Sequence, residues 1–259
     1  LHLEILMSKI VLMANDFPGL EVAKFLIEEN ENILRLYVHQ PDNQKLTNEI
    51  IETVACSEVY EANLLKDQAH VEELKMLNAD FIITIYWAYL LKPEVINSVK
   101  DTVNFHPALL PINRGWFPHV HSIIDGSPLG VTLHRIDEGA DTGPIWVQKE
   151  IELLSTDTAK SIYDRLQHEM VQLFKDNWNE IKSGQLSPKP QDHSKAIYHK
   201  KNEIDELDLI NLDEKMTARE LINKLRARSF GDLGFAYFKE GEDRTHINLR
   251  LSNNNNFKN

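Results

Sequence analysis

Lys9-Ile-Val-Leu-Met-Ala-Asn15 is the stretch that decides the fold, because a compact apolar run ends there in turn-forming residues. Further apolar residues follow at helical spacing: Leu20, Val22, Ala23, Phe25, Leu26 and Ile27. The order predicts a strand, a turn and a helix. This unit is the usual beginning of a sheet whose strands alternate with helices.

Four further apolar runs have the length and composition of strands: Ile33–His39, Phe81–Tyr86, Leu129–Ile136 and Ile145–Ile151. Helical patterns at 48–53 and 70–77 lie between the first two of these runs. The alternation predicts an α/β fold with a Rossmann-like, mostly parallel sheet that helices cover on both faces. Such sheets bind ligands beyond the carboxyl ends of their strands. Residues directly after Tyr86, Asn104 and Ile136 are therefore placed for chemistry.

The chain divides by composition into a large and a small part. Residues 7–184 form the predicted catalytic domain, which closes with a long helix whose apolar stripe runs from Ile162 to Ile181 and stops near Gly184. Residues 185–194 are polar and proline-containing, as in a linker. Residues 195–252 predict a small α+β unit with a helix at Thr217–Arg228. Its end is a predicted β-hairpin of 235–238 with 246–251, and the Asn-rich tail 253–259 is predicted to be disordered.

Charge and composition exclude several classes of function. The net charge of −12 opposes long-range attraction to nucleic acid, and a single cysteine, Cys56, excludes an internal disulfide or a cysteine-rich metal cluster. No apolar run approaches the roughly 20 residues of a membrane helix. We therefore expect a cytoplasmic protein that acts on a small molecule, with no nucleic-acid or membrane partner.

The turn after the first strand argues against a dinucleotide cofactor. Residues 14–20 contain one glycine, Gly19, where a dinucleotide-binding turn has the pattern G-x-G-x-x-G. The backbone then cannot wrap a pyrophosphate in the usual way, so an NAD enzyme is not expected.

Two polar side chains, Asn104 and His106, project from the end of one predicted strand. Alternation places them on the same face, and Pro107 ends the strand. An amide N–H or a protonated imidazole can stabilise a tetrahedral oxyanion, and an imidazole can also accept the proton of an attacking amine. The loop Asp137–Gly143 supplies carboxylates that can orient the imidazole, and its two glycines allow a tight bend.

Structural interpretations of the same residues remain open on the residues alone. An Asn-x-His pair is often structural, and an acidic glycine-rich loop is often a solvated turn or, less often, a divalent-cation site. The loop does not have the spacing of a calcium-binding loop. His119 and His121 lie two apart in a helical segment and point in different directions, so a joint metal site is not expected.

The ordered set of motifs resembles one family. Asn104-Phe-His106, Pro-Ala-Leu-Leu-Pro, Arg114-Gly115, Gly130-Val-Thr-Leu-His and Asp137-Glu-Gly-Ala-Asp-Thr-Gly143 resemble the N10-formyltetrahydrofolate-dependent formyltransferases. The likeness spans about Met7 to Lys182. It implies the formyltransferase fold and transfer of a formyl group from the folate to an amine.

The resemblance also implies roles for particular residues. Asn104, His106 and Asp141 match the family's catalytic triad, and no metal is implied. The pterin of the folate is expected between the segment 86–91 and the loop 136–141, although a short apolar segment such as 86–91 also suits a core. The implied folate contacts are Trp87, Ala88, Tyr89, Leu91, Ile136, Asp137, Gly139 and Asp141.

The acceptor is inferred from residues that lie beyond the catalytic strand. Residues 115–123, 221–230 and 236–238 resemble the formyltransferases of dTDP-linked amino-dideoxy sugars, which serve O-antigen and other surface polysaccharides. The motif Arg114-Gly-Trp-Phe-Pro118 is most similar to that of enzymes acting on a 3-amino-3,6-dideoxyhexose. A pyrophosphate and a thymine require cations and aromatic faces. The expected substrate contacts are Arg114, Gly115, Trp116, His119, Tyr198, Lys201, Arg226 and Arg228.

Alternatives to this acceptor and these contacts stay open. A dTDP-4-amino sugar, methionyl-tRNA or glycinamide ribonucleotide could be the acceptor, and a nucleotide-sugar or folate binding protein is the non-enzymatic alternative. Arg226 and Arg228 could be solvated, and His119 could cover a helix surface. A homodimer through the C-terminal unit is expected, with an apolar patch that could equally pack internally: Phe235, Tyr237, Phe238 and Ile247.

Overall fold

A computed structural model describes residues 7–252, so the predicted tail at 253–259 lies outside the described residues. The strands are β1 (Lys9–Ala14), β2 (Asn32–Val38), β3 (Val59–Glu61), β4 (Phe81–Ile85), β5 (Asp101–His106), β6 (Arg114–Gly115), β7 (Leu129–His134), β8 (Ile145–Ile151), β9 (Tyr198–His199), β10 (Ser229–Phe230), β11 (Leu233–Gly234), β12 (Tyr237–Glu240) and β13 (Asp243–His246). The helices are α1 (Asp16–Glu28), α2 (Thr47–Val54), α3 (Gln68–Met76), α4 (Pro93–Ile96), α5 (Pro118–Asp125), α6 (Ala159–Lys182), α7 (Glu203–Asp208) and α8 (Ala218–Ala227).

Seven strands form the main sheet, in the order β3-β2-β1-β4-β5-β7-β8. Strands β3, β2, β1, β4 and β5 pair in parallel, and β7 pairs with β5 in antiparallel register, which places His134 opposite Asn104. The predicted mostly parallel α/β sheet is confirmed. The carboxyl ends of β1, β4 and β5 consequently share one edge, where the strand order changes direction.

The strands at the centre of the sheet are buried on both faces. All five residues of β4 are buried, and they include one polar residue, Thr84. All six residues of β7 are buried as well, His134 among them. Because buried polar side chains require hydrogen-bond partners, we expect Thr84 and His134 to be bonded to other polar groups.

The chain forms two compact units from discontinuous segments. The first comprises 7–106, 132–148 and 167–191, and the second comprises 107–131, 149–166 and 192–252. Most of the polar segment predicted as a linker belongs to the first unit, because the backbones of Ile145 and Lys189 exchange two hydrogen bonds of 2.8 Å. Among the described residues, no helix combines the length and hydrophobicity that crossing a bilayer requires.

The second unit carries the short strands and the predicted hairpin. Helix α8 begins with a capping box between Thr217 and Glu220, as the predicted helix start requires. The hairpin is confirmed, but the predicted position of its second strand is wrong. Pairing joins Tyr237 to His246 and Glu240 to Asp243 around the turn at Gly241, whose φ is 64°. The turn fixes the register, whereas the apolar alternation after His246 had indicated a strand further along.

Candidate active site

Asn104 and His106 lie at the carboxyl end of β5, as the sequence predicts. Strand β4 places Thr84 beside Asn104, and β7 places His134 on the other side of the same residue. His106 is 5% exposed and Asn104 is half-buried. Both predicted polar groups therefore stand at the edge of a packed sheet, where nearby side chains can hold them in one orientation.

Asp141 joins this pair from the loop after β7. Its Oδ1 lies 3.4 Å from Nδ1 of His106 and 3.5 Å from Nε2 of His134. The structure thus brings together the three residues that match the family's triad. A carboxylate at Nδ1 favours the hydrogen on that nitrogen, which leaves Nε2 of His106 to accept or return a proton.

The loop that carries Asp141 is held by its own polar groups. Oδ1 of Asp137 accepts hydrogen bonds from the Gly139 backbone N–H at 3.1 Å and from the Thr142 hydroxyl at 2.5 Å. A Cβ on Gly143 would lie 2.0 Å from the carbonyl oxygen of Arg135, so only glycine fits there. Asp141 itself has φ 55°, a left-handed conformation that a tightly restrained loop can maintain.

Gln191 restrains the same loop from the segment after α6. Its side-chain nitrogen donates to the main-chain carbonyls of Asp141 at 2.9 Å and Gly143 at 2.7 Å. Gln191 is 6% exposed. Because these bonds are shielded from water, they hold the backbone on both sides of the Asp141 carboxylate.

Asn104 has partners on both ends of its amide. The Thr84 hydroxyl donates to Oδ1 of Asn104 over 2.6 Å. Nδ2 of Asn104 lies 2.9 Å from Nε2 of His134, whose Nδ1 lies 2.6 Å from the Arg135 carbonyl oxygen. The amide is therefore held between two buried side chains.

The segment predicted to contact a folate forms an aromatic cluster with His39. The Trp87 and Tyr89 rings lie 4.9 and 5.1 Å from the His39 ring, and the Ala88 N–H points to Nε2 of His39 at 3.4 Å. Burial lowers the pKa of His39, partly opposed by its bond to the Asn43 carbonyl, so the ring is neutral at neutral pH. The Trp87 indole N–H is buried and has no hydrogen-bond partner among the described residues.

Core packing and a hydrogen bond to β5 hold the other residues that are predicted to contact the folate. Leu91 packs against the core cluster around β1 and β4. The Ile136 N–H donates to the Thr102 hydroxyl at 2.7 Å, which fixes the start of the loop that carries Asp137, Gly139 and Asp141. Their contact with a ligand stays a prediction.

Three of the predicted substrate contacts are exposed on the second unit. The backbones of Arg114–Gly115 and Tyr198–His199 pair in parallel, and the Trp116 N–H donates to the His199 carbonyl at 3.1 Å. Tyr198 is 50% exposed and Trp116 is 38% exposed, and the Lys201 ammonium lies 4.9 Å above the Trp116 ring. Gly115 has φ 85°, and a Cβ there would lie 2.4 Å from the His199 carbonyl oxygen.

The three arginines among the predicted substrate contacts are buried. Nη2 of Arg114 lies 3.1 Å from Nδ1 of His193, and Arg228 forms a two-pronged ion pair with Asp208. Nη1 of Arg226 donates to the carbonyls of Leu154, Ser155 and Asp157 at 2.9, 3.2 and 3.4 Å. Neither arginine of α8's carboxyl end is solvated. Their binding of a substrate stays a prediction.

His119 is also buried, with its ring 5.7 Å from that of Tyr163. Burial, and after it the positive charge of Arg228, lowers the pKa of His119 to about 4. The ring is thus a neutral part of the packing of α5 and does not cover an exposed helix surface.

One group of three possible metal ligands occurs among residues 7–252: His121, His199 and Glu203. The two imidazoles stack with centroids 3.4 Å apart and planes inclined by 5°. A metal ion lies in the plane of each imidazole that binds it, and these planes are parallel and separate. Nδ1 of His199 is already 2.9 Å from Glu203, and its Nε2 is 3.0 Å from Oδ1 of Asn113. The arrangement fits a hydrogen-bonded stack better than a metal centre.

Sequence reasoning assigned no role to Thr84, His134 or Gln191. Thr84 and His134 lie in strands that are buried on both faces, so periodicity does not distinguish them. A polar residue inside an apolar strand was the available signal for both. Gln191 lay in a segment interpreted as a linker, where glutamine carries no signal.

Two family models match the chain. The model described as "Formyl transferase" matches residues 30–177, which is more than half of the chain. The model described as "N-formyltransferase dimerization C-terminal domain" matches residues 203–253. The two matches fall on the parts that the sequence predicts to be the catalytic domain and the small C-terminal unit.

Curated relatives include formyltransferases with different acceptors. A dTDP-4-amino-4,6-dideoxyglucose formyltransferase from Mycobacterium bovis is 33% identical over 165 residues, which are 64% of this chain and 70% of that protein. A methionyl-tRNA formyltransferase from Sulfurihydrogenibium is 30% identical over 230 residues, which are 85% of this chain and 73% of that protein.

Solved structures of formyltransferases share the fold. A 4-N formyltransferase from Francisella tularensis has a TM-score of 0.81 and 27% identity, over 95% of this chain and 99% of that one. A formyltransferase from Anoxybacillus kamchatkensis, whose structure holds UDP-4,6-dideoxy-4-formamido-L-AltNAc and tetrahydrofolate, has a TM-score of 0.61 and 27% identity, over 85% and 98% of the two chains. Because the formyl transferase model matches more than half of its residues, this chain belongs to the formyltransferase family.

Proposed function

We propose that this enzyme transfers the formyl group of N10-formyltetrahydrofolate to the amino group of a dTDP-linked amino-dideoxy sugar. The observation that carries the proposal is the convergence of Asn104, His106 and Asp141 at the carboxyl end of β5. An oxyanion donor, a base and a carboxylate that orients the base are the groups that formyl transfer requires.

The reaction begins with the lone pair of the sugar amine attacking the formyl carbon. Asn104 stabilises the tetrahedral oxyanion that forms, and His106 also stabilises it once Nε2 has taken a proton from the new ammonium. Collapse of the intermediate re-forms the carbonyl and breaks the bond from the formyl carbon to N10 of the folate. His106, oriented by Asp141, carries the proton from the new ammonium to N10, which leaves a formamide and tetrahydrofolate.

The folate is proposed to lie against the segment 86–91 and the loop 136–141. The buried indole N–H of Trp87 has no partner among the described residues, and an unpaired buried donor is costly unless a ligand satisfies it. The proposal also draws on the Anoxybacillus enzyme, whose structure holds tetrahydrofolate. The pterin ring offers the acceptors and the flat face that such a cluster would take.

The acceptor is proposed to contact the second unit through Trp116, Tyr198 and Lys201. Exposed aromatic rings offer a face to a thymine, and a nearby ammonium suits a pyrophosphate. The net charge of −12 disfavours tRNA, whose binding depends on many clustered cations. Steep salt dependence of acceptor binding would instead favour methionyl-tRNA.

The position of the amino group is the finer part of the proposal. The motif Arg114-Gly-Trp-Phe-Pro118 favours a 3-amino-3,6-dideoxyhexose. The Mycobacterium bovis and Francisella tularensis relatives are named for the 4-nitrogen, which favours the 4-amino alternative. Either product is a formamido sugar suited to O-antigen or another surface polysaccharide.

The decisive experiment offers N10-formyltetrahydrofolate with dTDP-3-amino, dTDP-4-amino, ribonucleotide and methionyl-tRNA acceptors, and identifies the products by mass spectrometry. Formylation of one dTDP-amino sugar establishes the acceptor and its position together. Activity on glycinamide ribonucleotide or methionyl-tRNA alone would contradict the acceptor while retaining the triad.

A second experiment tests the proposed nucleotide contact. Trp116→Ala is expected to raise KM for the dTDP-sugar about tenfold or more with little change in kcat, since a base stack contributes about 1–3 kcal/mol. Leu212→Ala is the control, because Leu212 is another exposed apolar residue of the same unit. A KM unchanged in Trp116→Ala would contradict the contact.

We further propose a homodimer through the C-terminal unit, whose family model is described as a dimerization domain. Leu233 is 60% exposed and Phe235 is 39% exposed, and Tyr237 and Phe238 are half-buried. Light scattering after size exclusion should give twice the chain mass, and Leu233→Asp with Phe235→Glu should give a monomer. A monomeric wild type would contradict the dimer.

A further inference from the structure

We propose that His134 is a positioning residue that fixes the orientation of the Asn104 side-chain amide. The proposal rests on the proposed formyl transfer. His134 is 2% exposed and stands opposite Asn104 in the antiparallel register of β7 with β5. Nδ1 of the ring faces the Arg135 carbonyl, and Nε2 faces the Asn104 amide and the Asp141 carboxylate, so the chemistry of these groups decides the tautomer.

The partner of Nδ1 decides the tautomer of His134. Nδ1 lies 2.6 Å from the main-chain carbonyl oxygen of Arg135, which can only accept a hydrogen bond. Nδ1 must therefore carry the hydrogen. In a neutral imidazole the other nitrogen, Nε2, is then an acceptor.

The acceptor Nε2 decides the orientation of Asn104. Nδ2 of Asn104 is 2.9 Å away and donates one of its two hydrogens to Nε2. Oδ1 of Asn104 then faces the Thr84 hydroxyl, which donates to it over 2.6 Å. The flipped amide would place its oxygen against the lone pair of Nε2, so the neutral imidazole excludes that orientation. The second hydrogen of Nδ2 is thereby directed to one position for an oxyanion.

The same tautomer keeps Asp141 with His106. Oδ1 of Asp141 is nearly equidistant from the two rings, at 3.4 Å from Nδ1 of His106 and 3.5 Å from Nε2 of His134. Nε2 of His134 has no hydrogen in this tautomer, so of the two imidazoles only His106 can donate to the carboxylate. His134 consequently orients the amide without competing for the carboxylate.

The first test is independent of turnover. Long-range ¹⁵N–¹H correlation spectra of the full-length protein, with His134 assigned by comparison with His134→Gln, report which ring nitrogen carries the hydrogen at neutral pH. We expect a neutral ring with the hydrogen on Nδ1. A ring with the hydrogen on Nε2, or on both nitrogens, would overturn the inference even if the proposed acceptor were wrong.

The second test separates orientation from packing. His134→Leu removes the acceptor, whereas His134→Gln can place an amide oxygen near the position of Nε2. With whichever acceptor the wild type formylates, we expect His134→Leu to lower kcat about 10- to 100-fold with KM nearly unchanged. His134→Gln should recover most of that loss. Equal losses in the two variants would contradict the orienting role.

The third test asks whether His134 acts through Asn104. In an Asn104→Ala background, His134→Leu should cost less than about threefold in single-turnover rate, because the amide that it orients is gone. The same loss with and without Asn104 would overturn the inference. Thr84→Val, which is nearly isosteric, should also lower kcat and should be silent in the Asn104→Ala background. This variant keeps the test open if His134→Leu does not fold.

Discussion

Gln191 donates a hydrogen bond of 2.9 Å from its side-chain nitrogen to the main-chain carbonyl of Asp141. The same nitrogen donates to Gly143 over 2.7 Å, so a single buried side chain spans the turn that presents the carboxylate. Asp141 has a left-handed backbone, φ 55°, which needs such support. The segment after α6 therefore contributes to the geometry of the candidate site through the backbone that carries Asp141.

Gln191→Leu removes both bonds while preserving approximate volume. We expect kcat to fall about 10- to 100-fold, because a small displacement of a catalytic group is costly, with a smaller change in KM. Gln172→Leu is the matched control, since the Gln172 side chain bonds Asp176 on the exposed surface of α6. Steady-state kinetics on both variants give the comparison. Equal kcat values in the two would show that the loop holds its shape without Gln191.

The residues at the end of β5 give the second prediction. Asn104→Ala removes the proposed oxyanion donor and His106→Ala removes the proposed proton carrier, so we expect each to lower turnover on the order of a hundredfold or more. Folding should be unaffected, as circular dichroism can check. Glu180→Gln, at an exposed position of α6 outside the proposed site, is the control and should retain activity. Full activity in either alanine variant would remove that residue from the mechanism.

A buried ion pair gives a stability prediction in the first unit. The Glu31 carboxylate is fully buried and accepts from the Ser8 N–H at 2.6 Å, the Trp178 indole at 2.8 Å and the Lys182 ammonium at 2.5 Å. Glu31→Gln leaves the buried Lys182 ammonium without a counter-charge. Such a change typically costs about 3–5 kcal/mol.

Urea titrations at neutral pH measure this loss in unfolding free energy. Glu21→Gln is the control, because Glu21 pairs with Lys24 on the surface and should contribute about 0–1 kcal/mol. A loss in Glu31→Gln no larger than in the control would mean that the ammonium finds other partners.

Much of this architecture could be predicted from the sequence, because apolar runs such as Lys9–Ala14 and Phe81–Ile85 are buried on both faces and end in turn formers. The pair at the end of β5 could be predicted too, since alternation along a strand is a local property. The role predicted for Asp141 came from a resemblance, because its loop holds three carboxylates and the sequence pattern alone does not single out one of them.

The rest depends on pairing between distant segments. His134 stands opposite Asn104 because of the register in which β7 pairs with β5. The sequence of β7 does not reveal this register, because all of its residues are buried and no alternation marks one face. That Gln191 reaches Asp141 depends on the backbone bonds between Lys189 and Ile145. The second strand of the hairpin was predicted too far along the chain, because the turn at Gly241 sets its register and the apolar residues after His246 do not.

Buried histidines in the second unit predict a loss of stability in acid. Burial first, and then the charge of Arg228, lowers the pKa of His119 to about 4 from the ordinary 6.5. Between these values the unfolded chain binds the extra proton and the folded chain does not, so unfolding becomes easier as pH falls. The contribution is complete above about pH 6.5 and declines toward pH 4, by at most about 3 kcal/mol.

Urea midpoints at pH 7.5, 6 and 5 should fall with pH, and His119→Gln should flatten that slope. The slope should not vanish, because burial also lowers the pKa of His121 to about 4, with the charge of His199 as the next cause. His168→Gln, at an exposed position, should keep the slope of the wild type. A slope unchanged in His119→Gln would mean that His119 does not contribute to it.

A substitution at Arg226 can show whether its guanidinium stabilises the fold or binds the substrate. Its guanidinium donates to the main-chain carbonyls of Leu154, Ser155 and Asp157, and burial lowers its pKa, with the Asp157 charge acting in the opposite direction. Arg226→Lys keeps the charge but loses the planar guanidinium, whose Nε donates to Oδ1 of Asn223 while Nη1 reaches the carbonyls. We expect the unfolding free energy to fall by about 1–3 kcal/mol, with KM for the acceptor nearly unchanged. Arg219→Lys, exposed on the same helix, should alter neither quantity. If KM rose while stability stayed at the level of the control, the guanidinium would instead bind the substrate, and the contacts with the three carbonyls would have to open for it to do so.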